Sequence, residues 1–210
     1  MAIKNYNYLS QNSKMKKMTG VKTFNWGIPA FRSKTGFSTC PKAGICVKGC
    51  YAKQGTYTWS NVSQAFETRL NLSQGPDFVP TINAEIKRRK VERLRIHDSG
   101  DFYSIEYLDK WIDIINLNPN TTFYAYTKMV DMFNNYPNIP SNLIIIYSYG
   151  GKEDKLIKET DRHSQVFENA EELLAAGYID ASKNDSNAIS INPKVGLIYH
   201  GAKSKKWLTK

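Results

Sequence analysis

The chain is predicted to form an α/β domain on a parallel sheet with crossover helices, and three observations carry the prediction. Short strand-like runs alternate with segments whose apolar residues recur at helical spacing. The runs read as apolar along their length, the pattern of strands covered on both faces. Breakers close segment after segment, as at Gly100, Pro119 and Gly177. With 210 residues and 41% hydrophobic content, the chain is large enough for one sizeable core. Residues 1–210 are therefore read as a single α/β domain with a basic, aromatic-rich segment at 1–60 and a basic tail at 195–210.

The elements follow in order. Helices are expected over 61–73, through Val62, Ala65, Phe66 and Leu70, and over 78–90, through Val79, Ile82 and Ile86. A strand at 93–97 ends in a turn at Gly100, and an amphipathic helix over 104–115 stops before Pro119. A strand at 122–127, a short helix at 130–135 and a strand at 142–148 come next. A helix over 168–176 is halted by Gly177, and a last strand is expected around 188–191. The most apolar run, Leu143-Ile-Ile-Ile-Tyr147, is far short of the roughly 20 residues that span a bilayer, so no membrane partner is expected.

Charge is unevenly distributed. Residues 1–66 hold ten basic side chains and no acidic one, so the net charge of +10 resides wholly in that third. Such asymmetry calls for an anionic partner, with nucleic acid foremost. Tyr6, Tyr8, Phe24, Trp26, Phe31, Phe37, Tyr51, Tyr57 and Trp59 interleave with the lysines, and aromatic rings beside cations are how single strands are commonly held, which favours RNA over duplex DNA. Lys14, Lys16, Lys17, Lys22 and Lys34, with Lys203, Lys205 and Lys206 in the tail, are the candidate contacts. A solvated lysine face over a core of aromatics accounts for the composition equally well.

All three cysteines fall in one Gly-punctuated loop, Cys40-Pro-Lys-Ala-Gly-Ile-Cys46-Val-Lys-Gly-Cys50. An odd count argues against a closed disulfide framework. The opening Met1-Ala-Ile-Lys-Asn-Tyr6 carries no apolar signal segment, so a cytoplasmic location is expected. In a reducing compartment clustered thiols point to metal or redox chemistry. A structural zinc site wants four ligands, and three thiolates leave one position open, as they do on an iron–sulfur cluster. Buried, unliganded thiols are the alternative.

Functional residues of parallel α/β folds collect at the carboxyl ends of strands. His97, Asp98 and Asp101 fall where the 93–97 strand ends, Lys128 follows the 122–127 strand, and Gly150-Gly151 follows the 142–148 strand. A histidine and two carboxylates together suit acid/base work or ligation. Equally, Asp101 is a candidate N-cap for the next helix, and His97 a satisfied core group. His163, in a charged stretch, is expected at the surface, and His200 is a distant candidate for an open metal position.

These motifs together resemble the phage gene product 88 family: Cys40 through Cys50-Tyr-Ala52, Gly55-Thr-Tyr57, Arg95-Ile-His-Asp-Ser-Gly-Asp-Phe102 and Tyr126-Thr-Lys128 occur in the family's order. The Cys-Tyr-Ala ending and the strand-end Gly-Asp in turn resemble radical S-adenosylmethionine enzymes. That second resemblance implies a partial (β/α) barrel, Cys40, Cys46 and Cys50 as ligands of a 4Fe-4S cluster, and S-adenosylmethionine as cosubstrate. It places Asp101, with His97 and Lys128, on the facing strand ends. The cysteine spacing departs from that superfamily, with five and then three intervening residues in place of three and two, and zinc stays open as the metal. Two functions are expected from different classes. One is an iron–sulfur protein acting on or near nucleic acid; the other is a non-catalytic RNA-binding effector that inhibits a host defence complex such as CRISPR-Cas, its cysteine loop structural.

Overall fold

The computed structural model describes residues 6–18 and 20–199. Among them seven strands form one all-parallel sheet: β1 (Thr23–Asn25), β2 (Arg93–Ile96), β3 (Thr122–Thr127), β4 (Leu143–Ser148), β5 (His163–Phe167), β6 (Ile179–Asp180) and β7 (Lys194–Ile198). Their order is β1-β2-β3-β4-β5-β7-β6, and the sheet curls into a half-barrel. The α/β class and the partial barrel expected from the sequence are both present.

Parallel pairing forces each connection to cross back over the sheet, and helices make most of the crossings. A single turn, α1 (Ser13–Lys16), precedes β1; α2 (Ser60–Gln74) and α3 (Phe78–Arg89) lead into β2; α4 (Ile105–Asn116) joins β2 to β3, and α5 (Val130–Asn134) joins β3 to β4. A short α6 (Ala170–Ala175) lies between β5 and β6. Helix α4 shows why this sequence is helical. Ser104 caps it by accepting the Tyr107 N–H at 3.2 Å. Tyr107, Leu108, Trp111, Ile112, Ile114 and Ile115 form its buried stripe. Fully burying a large apolar side chain contributes about 1.5–3 kcal/mol, and the core built on Trp111, Phe78, Trp26 and Leu94 holds α3 and α4 against β1 to β4.

The opposite face is different in chemistry. Alternate residues of β2 and β3, namely Arg95, Tyr124 and Tyr126, turn away from the helix-side core. Ala181, Ala188 and Val195 pack against Tyr124 and Ile146 there. Strand β2 thus alternates Arg, Leu, Arg, Ile and is not apolar throughout.

Three further expectations are corrected. Residues 188–191 are no strand: Asn187–Ile189 is a 3-10 turn, Ala188 is buried while Ile191 is fully exposed, and the sheet continues instead at β7. His163 opens an interior strand and is 2% exposed, wedged between Tyr149 and Tyr178. Asp101 does not cap α4, because Ser104 does. Strands β1, β5, β6 and β7 were not expected from the sequence at these positions.

Candidate functional site

The cysteine loop belongs to the long connection after β1 and lies across the carboxyl ends of the neighbouring strands. Each cysteine is fixed to a strand end by an adjacent bond. Next to Cys40, the Thr39 carbonyl accepts the Asp101 N–H at 2.9 Å, and the Thr39 hydroxyl donates to the Pro29 carbonyl at 2.6 Å. Around Cys46, the Gly150 carbonyl accepts the N–H groups of Gly44 and Cys46 at 3.2 and 3.1 Å. Beyond Cys50, the Tyr51 hydroxyl donates to the Asp98 carbonyl. The loop is therefore anchored twice behind β2 and once behind β4.

Glycine is required at two of these approaches. A Cβ on Gly44 would meet Gly150 O and the Gly151 carbonyl at 2.9 Å. Gly150 itself has φ +97 and would bring a Cβ within 3.2 Å of Cys46 Cβ. Its turn is held by Asp154, whose carboxylate oxygens accept the Gly150 and Gly151 N–H groups at 2.8 Å each.

The three thiols share one electrostatic neighbourhood. Burial pushes Cys40 up to about 12, assisted by the charges of Asp101, Cys50 and Cys46. Burial also raises Cys50, with Cys46 contributing, while Lys53 and Lys128 oppose the rise. Burial thus favours the neutral thiol at Cys40 and Cys50; a bound metal favours the thiolate and releases the protons. A backbone donor also reaches one of the sulfurs. Phe31, held at φ +64, donates its N–H to Cys40 Sγ at 3.4 Å. Hydrogen bonds to sulfur are one of the protein's means of tuning iron–sulfur ligands. Among the described residues no three His, Cys, Asp or Glu side chains converge as a single ion requires.

The strand-end residues expected from the sequence fall beneath this loop. Asp101 is 4% exposed. It accepts from the Thr127 hydroxyl at 2.7 Å and from the N–H groups of Lys128 and Phe102 at 2.9 and 2.8 Å. Burial raises its pKa against these bonds. Lys128 directs Nζ to Ser148 O, Ser148 Oγ and Tyr149 O at 3.1, 2.8 and 3.2 Å, which uses all three of its donors to join the ends of β3 and β4.

Asp98 sits deeper. Its Oδ2 accepts from Asn25 Nδ2 at 2.8 Å and from the Tyr57 hydroxyl at 3.4 Å, and burial pushes its pKa up to about 6. His97 faces the helix-side core: Nε2 meets the Tyr107 hydroxyl at 3.0 Å and the ring lies edge-on to Phe102. Burial brings its pKa down to about 3, so it is neutral at physiological pH. Its environment is that of a core group, and Nδ1 has no partner among the described residues.

The sequence did not disclose a buried ionic cluster on the sheet's other face. Arg95 pairs with Asp185 at 2.9 Å, Asp185 with Lys14 at 3.1 Å, and the Tyr124 hydroxyl donates to Asp185 at 3.0 Å. Arg95 also lies over the Tyr126 ring. The alternation of arginine and apolar residues in β2 was the available signal. Lys14 is thereby engaged within the protein. Lys16, Lys17, Lys22 and Lys34 are exposed, whereas Lys203, Lys205, Lys206 and His200 lie outside the described residues.

Comparison with known proteins bears out the resemblance to the phage family. A family described as Gene product 88 matches residues 3–209. The chain is 34% identical over 115 residues to the Gene 88 protein of Mycobacterium phage L5, covering 49% of this chain and 46% of that one. It is 30% identical over 115 residues to the Gene 88 protein of Mycobacterium phage D29, with the same shares. The match thus spans about half the length of these curated relatives. No solved structure matches the chain.

Proposed function

The chain belongs to the Gene product 88 family of phage proteins, and for this member we propose an iron–sulfur protein with a reaction centre of the radical S-adenosylmethionine kind. One observation carries the proposal. The single loop holding all three cysteines is bonded to the ends of β2 and β4, at the mouth of a parallel half-barrel, which is where such folds keep their chemistry. Cys40, Cys46 and Cys50 would hold a 4Fe-4S cluster, leaving one iron without a protein ligand. When bound, the cluster would supply electron transfer to a cosubstrate attached at that iron. The chain's own residues position the site. Gly150 and Asp101 hold the loop in place, and Lys128 joins two strand ends.

The test is metal analysis on protein purified without oxygen, comparing the natural chain with Cys46→Ala. Iron and acid-labile sulfide in about equal amounts, lost in the variant, support the cluster. A change in the electron paramagnetic resonance spectrum of the reduced protein on adding S-adenosylmethionine supports the cosubstrate. Zinc, or no metal, overturns the proposal. The second reading, a nucleic-acid-binding effector directed at a host defence complex, draws on the exposed Lys16, Lys17, Lys22 and Lys34. It predicts that those charges matter while Cys46→Ala leaves binding intact.

A further inference from the structure

We infer that the rim of the cysteine loop is a docking surface for single-stranded nucleic acid, formed by Tyr51 and Trp59 as stacking platforms and by Arg32, Lys48 and Lys53 as phosphate contacts. The inference gives the proposed reaction centre a substrate class. It rests on that proposal only for the chemistry done on the bound strand, and binding itself stands apart from it.

Tyr51 presents the key geometry. Its hydroxyl is held inside by the Asp98 carbonyl, and Arg95 lies 3.5 Å from the same oxygen, yet 43% of the residue is exposed. A ring fastened at its polar end and bare on its outer part is an ordered plate, so a base stacking on it costs little side-chain entropy. Tyr57 packs against it in a T-shaped contact at 5.6 Å. Trp59, at 60% exposure, directly follows the run of 3-10 turns that carries Tyr51, namely Ile45–Gly49, Tyr51–Lys53 and Gly55–Thr58, and precedes α2.

The charges fit a polyanion. Arg32 and Lys53 approach the Phe31 ring at 5.3 and 5.6 Å, immediately beside Cys40, whose sulfur accepts the Phe31 N–H. Among the described residues no carboxylate pairs with Arg32, Lys48 or Lys53. No acidic residue occurs in the sequence before Glu67. Cations without a carboxylate partner are free to displace the counterions of a phosphate backbone. The lysines that the sequence first suggested are placed otherwise: Lys14 is spent on Asp185, and Lys22 stands at the amino end of β1, whereas the rim surrounds the carboxyl-end site.

The experiment is fluorescence anisotropy of the full chain with labelled oligouridylate and oligothymidylate of about 12 nucleotides, run on cluster-loaded and metal-free protein. Trp59→Ala should weaken binding about tenfold, the size expected for one stacked base. Lys48→Gln with Lys53→Gln should weaken it and flatten the salt dependence by about 0.7 in log–log slope per lysine. Lys16→Gln with Lys17→Gln should leave affinity within twofold. Equal thermal midpoints for all variants establish that the fold is intact. Failure to bind either oligomer at low salt, equal affinity for duplex DNA, or loss confined to the Lys16 and Lys17 variant overturns the inference. Binding by a protein found to hold no iron would keep the docking surface and remove only the proposed chemistry.

Discussion

Asp101 and Lys128 are joined across the gap between β2 and β3, the carboxylate of one accepting the backbone N–H of the other at 2.9 Å. Because Asp101 also accepts from Thr127 and Phe102 and gives its own N–H to the loop at Thr39, a single buried residue sets the spacing of two strand ends and the start of the cysteine loop. Asp101→Asn would turn an amide N–H₂ toward groups that are themselves donors. We expect a loss of about 2–3 kcal/mol, measured as a lower urea midpoint with an unchanged slope.

The Arg95–Asp185 pair gives a sharper expectation. Burial lowers the Arg95 pKa, but Asp185, Tyr51 and Tyr124 outweigh it, so the guanidinium is held well above its usual value. Burial likewise raises the Asp185 carboxyl, and Arg95 and Lys14 bring it below the usual range. Asp185→Asn would strand a buried cation and should cost about 3–5 kcal/mol, while Arg95→Met in the same chain should recover part of that loss. Denaturant unfolding of the two single variants and the double variant measures the coupling.

His97 and Asp98 respond to pH in opposite senses. The His97 pKa falls from 6.5 to about 3 on folding. Its contribution is therefore full above pH 6.5 and is lost as pH falls toward 3. The Asp98 pKa rises from 3.8 to about 6. Its contribution is full below 3.8 and is lost as pH rises through 6. Between pH 4 and 6 the two slopes oppose, each at up to about 1.4 kcal/mol per pH unit. His97→Asn, tolerated at the φ of +63 found there, removes one of them. Relative to the natural chain, this variant should gain stability steadily as pH falls from 6 to 4 in urea unfolding; parallel curves would refute the assignment.

Gly44→Ala separates the loop from the fold. Its Cβ would collide with backbone at Gly150 and Gly151, so the loop must shift while the helix-side core stays untouched. Under the proposed cluster, iron retained after anaerobic gel filtration should drop severalfold, with the thermal midpoint changing by only a few degrees.

What the sequence disclosed depended on how local the cause was. Helices α2 to α4 and strands β2 to β4 were legible because each carries its own period and its own stop signal. Strand β1 is three residues long and is made a strand by pairing with β2, a partner some 70 positions away. Strand β5 begins in a charged stretch and is buried only because β4 and β7 flank it. The cysteine loop was recognisable from composition alone, but its anchoring at Gly150, Thr39 and Tyr51 required the register of the sheet. The Arg95–Asp185 pair joins residues 90 positions apart, and neither local pattern announces the other.

Strand β7 pairs with both β5 and β6, although it comes after both in the chain. As the chain emerges from the ribosome, β1 to β5 can add one after another in spatial order, and β6 then has no neighbour to join. Until residues 194–198 emerge, β5 presents a bare edge, the kind of surface that recruits strands from other chains. Synthesis of this protein thus passes through an interval in which most of the sheet has formed and its open side is the point most exposed to misassembly, an interval that a chaperone would have to cover and that a stall before β7 would make permanent.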